Sequence, residues 1–277
     1  MPLEKPLPLM IGDKAFYSLT SYDPCKVTVE VPQVTDDDVV LALEMTVEQL
    51  GGTMDSLSDP AWVAERFDGI TSRTQVNDVI RQQLASMNAE MCEEMKLSQC
   101  IEVLRGRLVQ AIPPQHLEQA RQAVQMRFEQ SMAEEGMTPQ QFLARTGTTS
   151  AQLEAMFDQQ AREMAEADAA LSAYAHEKRL KVDEQEIAPL IGLPADQAKE
   201  FIAQARLSGH FDDLREMALR SKAAQLIVSE CSCTYVHESA EQARARVAQY
   251  RQMQRMFEEP DAPEEPPAPG KTGFKLV

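Results

Sequence analysis

Residues 57–67 read Leu57-Ser58-Asp59-Pro60-Ala61-Trp62-Val63-Ala64-Glu65-Arg66-Phe67, and a turn follows. An unbroken amphipathic stretch then runs from Ser72 to about Gln110. Ser72 and Gln75 have the spacing of a capping box, in which a hydroxyl and an amide satisfy each other's backbone N–H groups. Val76, Ile80, Leu84, Met87, Met91 and Met95 step by three or four, and Leu97, Ile101, Leu104 and Leu108 continue with a shift of phase. At 1.5 Å per residue such a helix is about 55 Å long, more than a small globule spans, so it bridges parts of the molecule or forms an arm. Ile112-Pro113-Pro114 then restarts a helix, since a proline costs nothing in a first turn whose N–H groups are unpaired anyway.

The same punctuation continues on both sides. Upstream, Cys25 to Val31 alternates apolar and polar residues, as a half-buried strand does, and Pro32 ends it. Thr35 and Asp38 cap a helix carrying Val39, Val40, Leu43, Val47 and Leu50, which Gly51-Gly52 stops. Downstream, Leu117, Val124, Phe128 and Met132 form a stripe up to Gly136. Thr138-Pro139-Gln140-Gln141 and Thr149-Ser150-Ala151-Gln152 open two more helices. The second carries Leu153, Met156, Phe157, Met164, Leu171 and Tyr174. Asp183 with Glu186 caps a short helix, Pro194 opens another, and Leu214, Met217, Leu219, Ala223, Leu226 and Ile227 form the last core-facing stripe. Residues 228–236 tolerate extended structure, and 240–257 return to helix.

The expected fold is mainly α: an elongated multi-helix body with arms and two or three short strands near the ends. The segments expected are an irregular stretch at 1–26, a linker strand and helix at 27–56, a helical body at 57–238, a helix at 239–259 and a disordered acidic, proline-rich tail at 260–277.

Composition narrows the function. The 277 residues carry a formal net charge of −17, which repels phosphate backbones, so no nucleic-acid partner is expected. Fifteen methionines stand against nine phenylalanines. Methionine suits both helix interfaces and surfaces that repack around varied partners. No stretch reaches the roughly 18 apolar residues that cross a bilayer, so no membrane partner is expected. The proline-broken start does not read as a signal peptide. Five cysteines without disulfide spacing fit a reducing cytoplasm.

Chemistry-bearing patterns are sparse. His116, His176, His210 and His237 fall in separate segments. Cys231, Cys233 and His237 offer three ligands where structural zinc wants four, so no metal or other cofactor is expected. Glu134-Glu135 and Glu258-Glu259 sit in charged runs where acidic pairs arise by chance. The basic face Arg244, Arg246, Arg251 and Arg255 reads as a solvated helix surface.

In order and spacing these segments resemble the trigger-factor chaperones. Val34-Thr35-Asp36-Asp37-Asp38-Val39 is similar to the family's opening of the helix before its prolyl-isomerase domain. Ser72 through Ile80-Arg81, Ile112-Pro113-Pro114-Gln115-His116-Leu117, Gly136-Met137-Thr138-Pro139 through Gly147, and Lys181-Val182-Asp183-Glu184-Gln185-Glu186-Ile187 resemble successive junctions of its helical body. The resemblance covers residues 27–238. Only Gly51-Gly52-Thr53-Met54-Asp55-Ser56 stands where the isomerase domain would be. The family's Gly-Phe-Arg-x-Gly-Lys-x-Pro ribosome-docking loop is missing, with only a faint likeness at Gly273-Phe274-Lys275.

The resemblance implies a holding chaperone for unfolded or nascent polypeptides, without isomerase activity and without ribosome binding. Apolar arm residues are the candidate contacts: Met126, Met132, Met137, Phe142, Met156 and Phe157, each of which also fits the core of an arm. The alternative is a dedicated chaperone for one partner protein.

Overall fold

The computed structural model describes residues 5–12 and 14–258; the expected tail at 260–277 lies outside them. In chain order the strands and helices are β1 (Leu9–Ile11), β2 (Lys14–Phe16), β3 (Lys26–Val31), α1 (Asp36–Gln49), α2 (Pro60–Arg66), α3 (Arg73–Gly106), α4 (Pro114–Glu134), α5 (Pro139–Thr146), α6 (Ser150–Glu177), α7 (Glu184–Leu190), α8 (Ala195–Leu207), α9 (Phe211–Glu230), β4 (Ser232–His237) and α10 (Ala240–Glu258). A 3₁₀ turn at Met54–Ser58 precedes α2. The mainly α class expected from the sequence is the one observed.

The local signals act where the sequence puts them. Thr35, Thr138 and Thr149 each form a full capping box with the residue three positions on, and the Asp183 N–H donates to the Glu186 side chain at 2.9 Å. Pro60, Pro114 and Pro139 occupy first-turn positions. Gly147 closes α5 in the left-handed conformation at φ 67°.

Three expectations need correction. The long helix ends at Gly106, not near Gln110, because Leu108 leaves it to bridge Leu19. Residues 228–236 are not one strand: α9 continues through Glu230 and β4 starts at Ser232. The N-terminal stretch is not irregular, since β1 and β2 pair antiparallel with Leu9 opposite Phe16 and Ile11 opposite Lys14. Gly12, at φ 61°, supplies the turn conformation that a side chain disfavours.

By contact the chain groups into two units, neither continuous in sequence. Of the described residues, one unit comprises those up to 29 and 92–235; the other comprises 30–91 and 236–258. Both α3 and the β3–β4 pair are divided between them. Ser232 N–H donates to Cys25 O (2.8 Å) and Glu238 N–H to Val31 O (3.0 Å), so β3 and β4 run in the same direction.

The smaller unit packs Val39, Leu43 and Val47 of α1 against Leu57, Val63, Val76 and Ile80. The Leu50–Leu57 junction is a closed turn here. Gly52 N–H donates to Val47 O (2.9 Å), and Trp62 lies so close that a Cβ on Gly52 would sit 2.4 Å from its ring. Helix α10 is tied to α1 by Arg246, which bonds Asp38 (2.7 Å), Glu238 (3.0 Å) and the Gln33 carbonyl (3.1 Å). Arg251 adds a looser pair with Glu44 at 3.7 Å.

The larger unit has three apolar clusters. Leu104, Leu171, Tyr174 and Ile227 centre the first, with the N-terminal segment laid along it. The backbone of that segment bonds residues 107–111, as in Val109 N–H to Ser18 O at 3.0 Å. Val182, Ile187, Ile202 and Leu214 join α7, α8 and α9. Val124, Leu153 and Phe157 join α4 to α6 as a helical hairpin with α5 at its turn.

Candidate functional site

The larger unit contains an open cleft of about 930 Å³. Helix α6 lines it with Met164, Ala165, Asp168, Ala169, Ser172 and His176. Helix α4 contributes His116, Gln119, Ala120 and Ala123; helix α9 contributes Asp213, Glu216, Met217 and Arg220. The alanines leave space that a leucine at the same position would fill, because a helix surface is set by its side-chain length. Met217 remains 45 % exposed.

Strand β2 and Tyr17 complete the lining and are held at three points. Lys14 pairs with Glu216 (3.3 Å), Phe16 sets its ring edge-on to His176 (centroids 6.2 Å), and Tyr17 Oη lies 3.3 Å from His116 Nδ1. Asp168 sits on α6, 3.2 Å from Arg220. Burial raises its carboxyl pKa; Arg220 pulls the other way and offsets only part of that.

Next to the cleft, Tyr174 Oη donates to Glu230 at 2.6 Å and Lys178 Nζ donates to the same oxygen at 2.7 Å. Burial first, and then the hydrogen bond to Glu230, push the Tyr174 phenol up to about 12. The Glu230 carboxyl is lowered by the Lys178 bond and then by that of Tyr174. This clasp holds α6 to α9 across the core.

Nothing in the cleft is arranged as a nucleophile with a base. The histidines meet Tyr17 and Phe16, and the acids Asp168, Glu216 and Asp213 meet Arg220, Lys14 and His210. Among the described residues no group of three His, Cys, Asp or Glu side chains could hold a metal ion. Cys231 and Cys233 are half-buried and pack on the core instead.

The six expected contact residues separate into two kinds. Met126 (67 % exposed) and Met156 (48 %) are open, whereas Met132 and Phe157 are buried. Phe157 lies 5.3 Å from the ring of Phe128, which meets half-buried Phe142 at 5.2 Å, so these aromatics form one cluster inside the helical hairpin. Met132 occupies the third position from the end of α4. There Met137 N–H bonds its carbonyl (2.8 Å) across Gly136 at φ 66°. That closing motif turns the side chain after the glycine back towards the last helical turn. Met132 and Phe157 therefore belong to the core, and Met137 is half-buried. The sequence reading placed Met164 and Met217 in core-facing stripes and passed over Phe16; nothing local marks the three as cleft residues, because they meet only in the folded unit, where Met217 stays exposed.

The family model for the bacterial trigger factor C-terminus matches residues 74–229, more than half of the chain. No curated protein matches. A solved structure of a hypothetical Mycoplasma protein is 9 % identical, covers 79 % of this chain and 90 % of its own, and superposes with a TM-score of 0.39, too low to build on. The matched region takes in α4 to α9 and nearly all of α3, and with them most of the walls of the cleft. The chain belongs to the trigger factor family through its C-terminal domain.

Proposed function

We propose that the protein is a holding chaperone that binds non-native polypeptides through dispersed apolar contacts, without catalysing prolyl isomerisation. The observation that carries this reading is the open, alanine-walled cleft with Phe16 and Met217 at its surface, in a chain of the trigger factor family. Exposed Met126 and Met156 on the helical hairpin extend the apolar contacts beyond the cleft. Many weak contacts shift a client's equilibrium away from aggregation and let it go as it folds. The high negative charge keeps such a surface soluble and supports a protein that does not dock on ribosomal RNA. None of the five cysteines is in a disulfide, as a reducing cytoplasm would have them.

The test is suppression of light scattering by two unrelated aggregating proteins. Both should be held. The triple variant Met126→Ser, Met156→Ser and Met217→Ser should lose most of the effect and keep its helical circular dichroism. Each methionine buries an area worth roughly 1–2 kcal/mol against a client before ordering costs, so single changes should matter little. Suppression of only one protein would favour a chaperone dedicated to a single partner, and an unaffected triple variant would remove these residues from the binding surface.

Isomerase activity is tested separately with a protease-coupled proline-peptide assay. The rate should stay at background, since six residues between Leu50 and Leu57 cannot build a barrel with a substrate pocket. A rate above background that survives repurification would overturn this part.

A further inference from the structure

Three cysteines far apart in sequence meet in the larger unit. Cys25 and Cys100 are both buried in its main core. The Cys25 thiol donates to the Cys100 carbonyl at 3.7 Å. Ser232 N–H bonds the Cys25 carbonyl at 2.8 Å, which sets Cys231 beside them at the end of α9. Cys231 packs against the same buried cluster that contains Cys25 and Cys100. Cys231 alone of the three is partly open to solvent. Cys233 packs on the same core from β4.

A buried cysteine is usually a small hydrophobe. Here three thiols share one site, and one of them can be reached from outside. We propose that Cys231 and Cys100 form a reversible disulfide when a hydroperoxide reaches Cys231.

In the first step the Cys231 sulfur takes the terminal oxygen of the hydroperoxide. The O–O bond breaks, an alcohol or water leaves, and Cys231 becomes a sulfenic acid. In the second step the Cys100 sulfur attacks the Cys231 sulfur. The S–S bond forms, the S–O bond breaks, and the departing hydroxide leaves as water with the Cys100 proton. A dithiol reverses the change by exchange, being itself oxidised. Burial, then the neighbouring Cys231 and Cys25, push the Cys100 thiol up to about 12. It therefore stays protonated until the sulfenic acid forms beside it. The bond ties the C-terminal half of α3 to the end of α9, whose N-terminal half lines the cleft.

The experiment treats the full chain with stoichiometric hydrogen peroxide and maps it by mass spectrometry without reductant. The expected product is a monomer lighter by two hydrogens, with the Cys100 and Cys231 peptides linked. Its melting temperature should be higher by roughly 5 °C or more, because the link closes a long loop, and dithiothreitol should reverse the shift. Cys231→Ser should abolish the link, and Cys233→Ser should retain it. Cys100→Ala should leave a sulfenic acid on Cys231 that dimedone captures. Should that variant fail to fold, the Cys231→Ser and Cys233→Ser pair decides alone. A link between any other two cysteines, an intermolecular link, or oxidation of Cys231 straight to sulfinic acid would overturn the proposal.

Discussion

At the scale of single residues, two positions in the smaller unit hold more than their size suggests. Gly52 lets the chain pass against Trp62, and a Cβ there would stand 2.4 Å from the indole. The ring is packed with Phe67 at 6.3 Å and cannot swing away freely. Gly52→Ala should therefore cost about 1–3 kcal/mol, read as a lower urea midpoint with the slope unchanged. Arg246 is the other position. Burial by itself would raise the Asp38 carboxyl, but the bonds from Arg246 and Thr35 outweigh it and hold the group below its ordinary value of 3.8. A carboxyl lowered by folding stabilises the protein above its unfolded pKa, and that contribution disappears as pH falls through the folded one. Arg246→Ala should thus cost about 1 kcal/mol at pH 7, since the guanidinium is partly exposed. The gap between variant and wild type should narrow in urea melts taken below about pH 3.8. A constant gap at all pH values would mean that Arg246 acts by packing alone.

At the scale of elements, the α4–α5–α6 hairpin separates structural from exposed apolar side chains. Phe157 and Met132 are enclosed, while Met126 and Met156 point to solvent from the same two helices. Phe157→Ser and Met132→Ser should each destabilise by about 2–4 kcal/mol. Met126→Ser and Met156→Ser should stay within about 0.5 kcal/mol. Thermal denaturation followed at 222 nm distinguishes the pairs, and equal losses in both would mean that the exposed methionines are packed in solution. The α6–α9 clasp behaves similarly. Glu230→Gln removes the charge shared by Tyr174 and Lys178, leaves a phenol bonded to a weaker acceptor, and should cost about 1–2 kcal/mol at pH 7. The wild-type advantage should fade as pH drops through the lowered Glu230 pKa, below its ordinary value of 4.5.

At the scale of the whole molecule, the net charge of −17 is the governing quantity. Like charges repel across a folded chain, and salt screens them over about 10 Å at 0.1 M. The melting temperature should rise as sodium chloride is raised from 10 mM to 300 mM. No co-sedimentation with ribosomes should occur at physiological salt. A melting temperature that falls with salt would show that the ion pairs, Arg246 with Asp38 and Lys178 with Glu230 among them, outweigh the repulsion.

The sequence by itself determined the helices, their caps and the mainly α class, because those signals act within four or five residues of chain. Thr138 finds Gln141, and Pro114 finds a first turn, whatever the rest of the molecule does. Only the tertiary structure decided which apolar side chains are core. The stripe through Val124, Phe128 and Met132 on α4 looks the same whether α6 covers it or not, and it is the placement of Phe157 across from it that closes the cluster. The β1–β2 hairpin escaped notice because three-residue strands carry too little alternation to read. The cleft and the thiol site were equally out of sight. Phe16, Met164 and Met217 come from three elements, and Cys25, Cys100 and Cys231 from three segments widely separated along the chain. What gathers them is burial of apolar surface, which depends on distance in space and carries no signature along the chain.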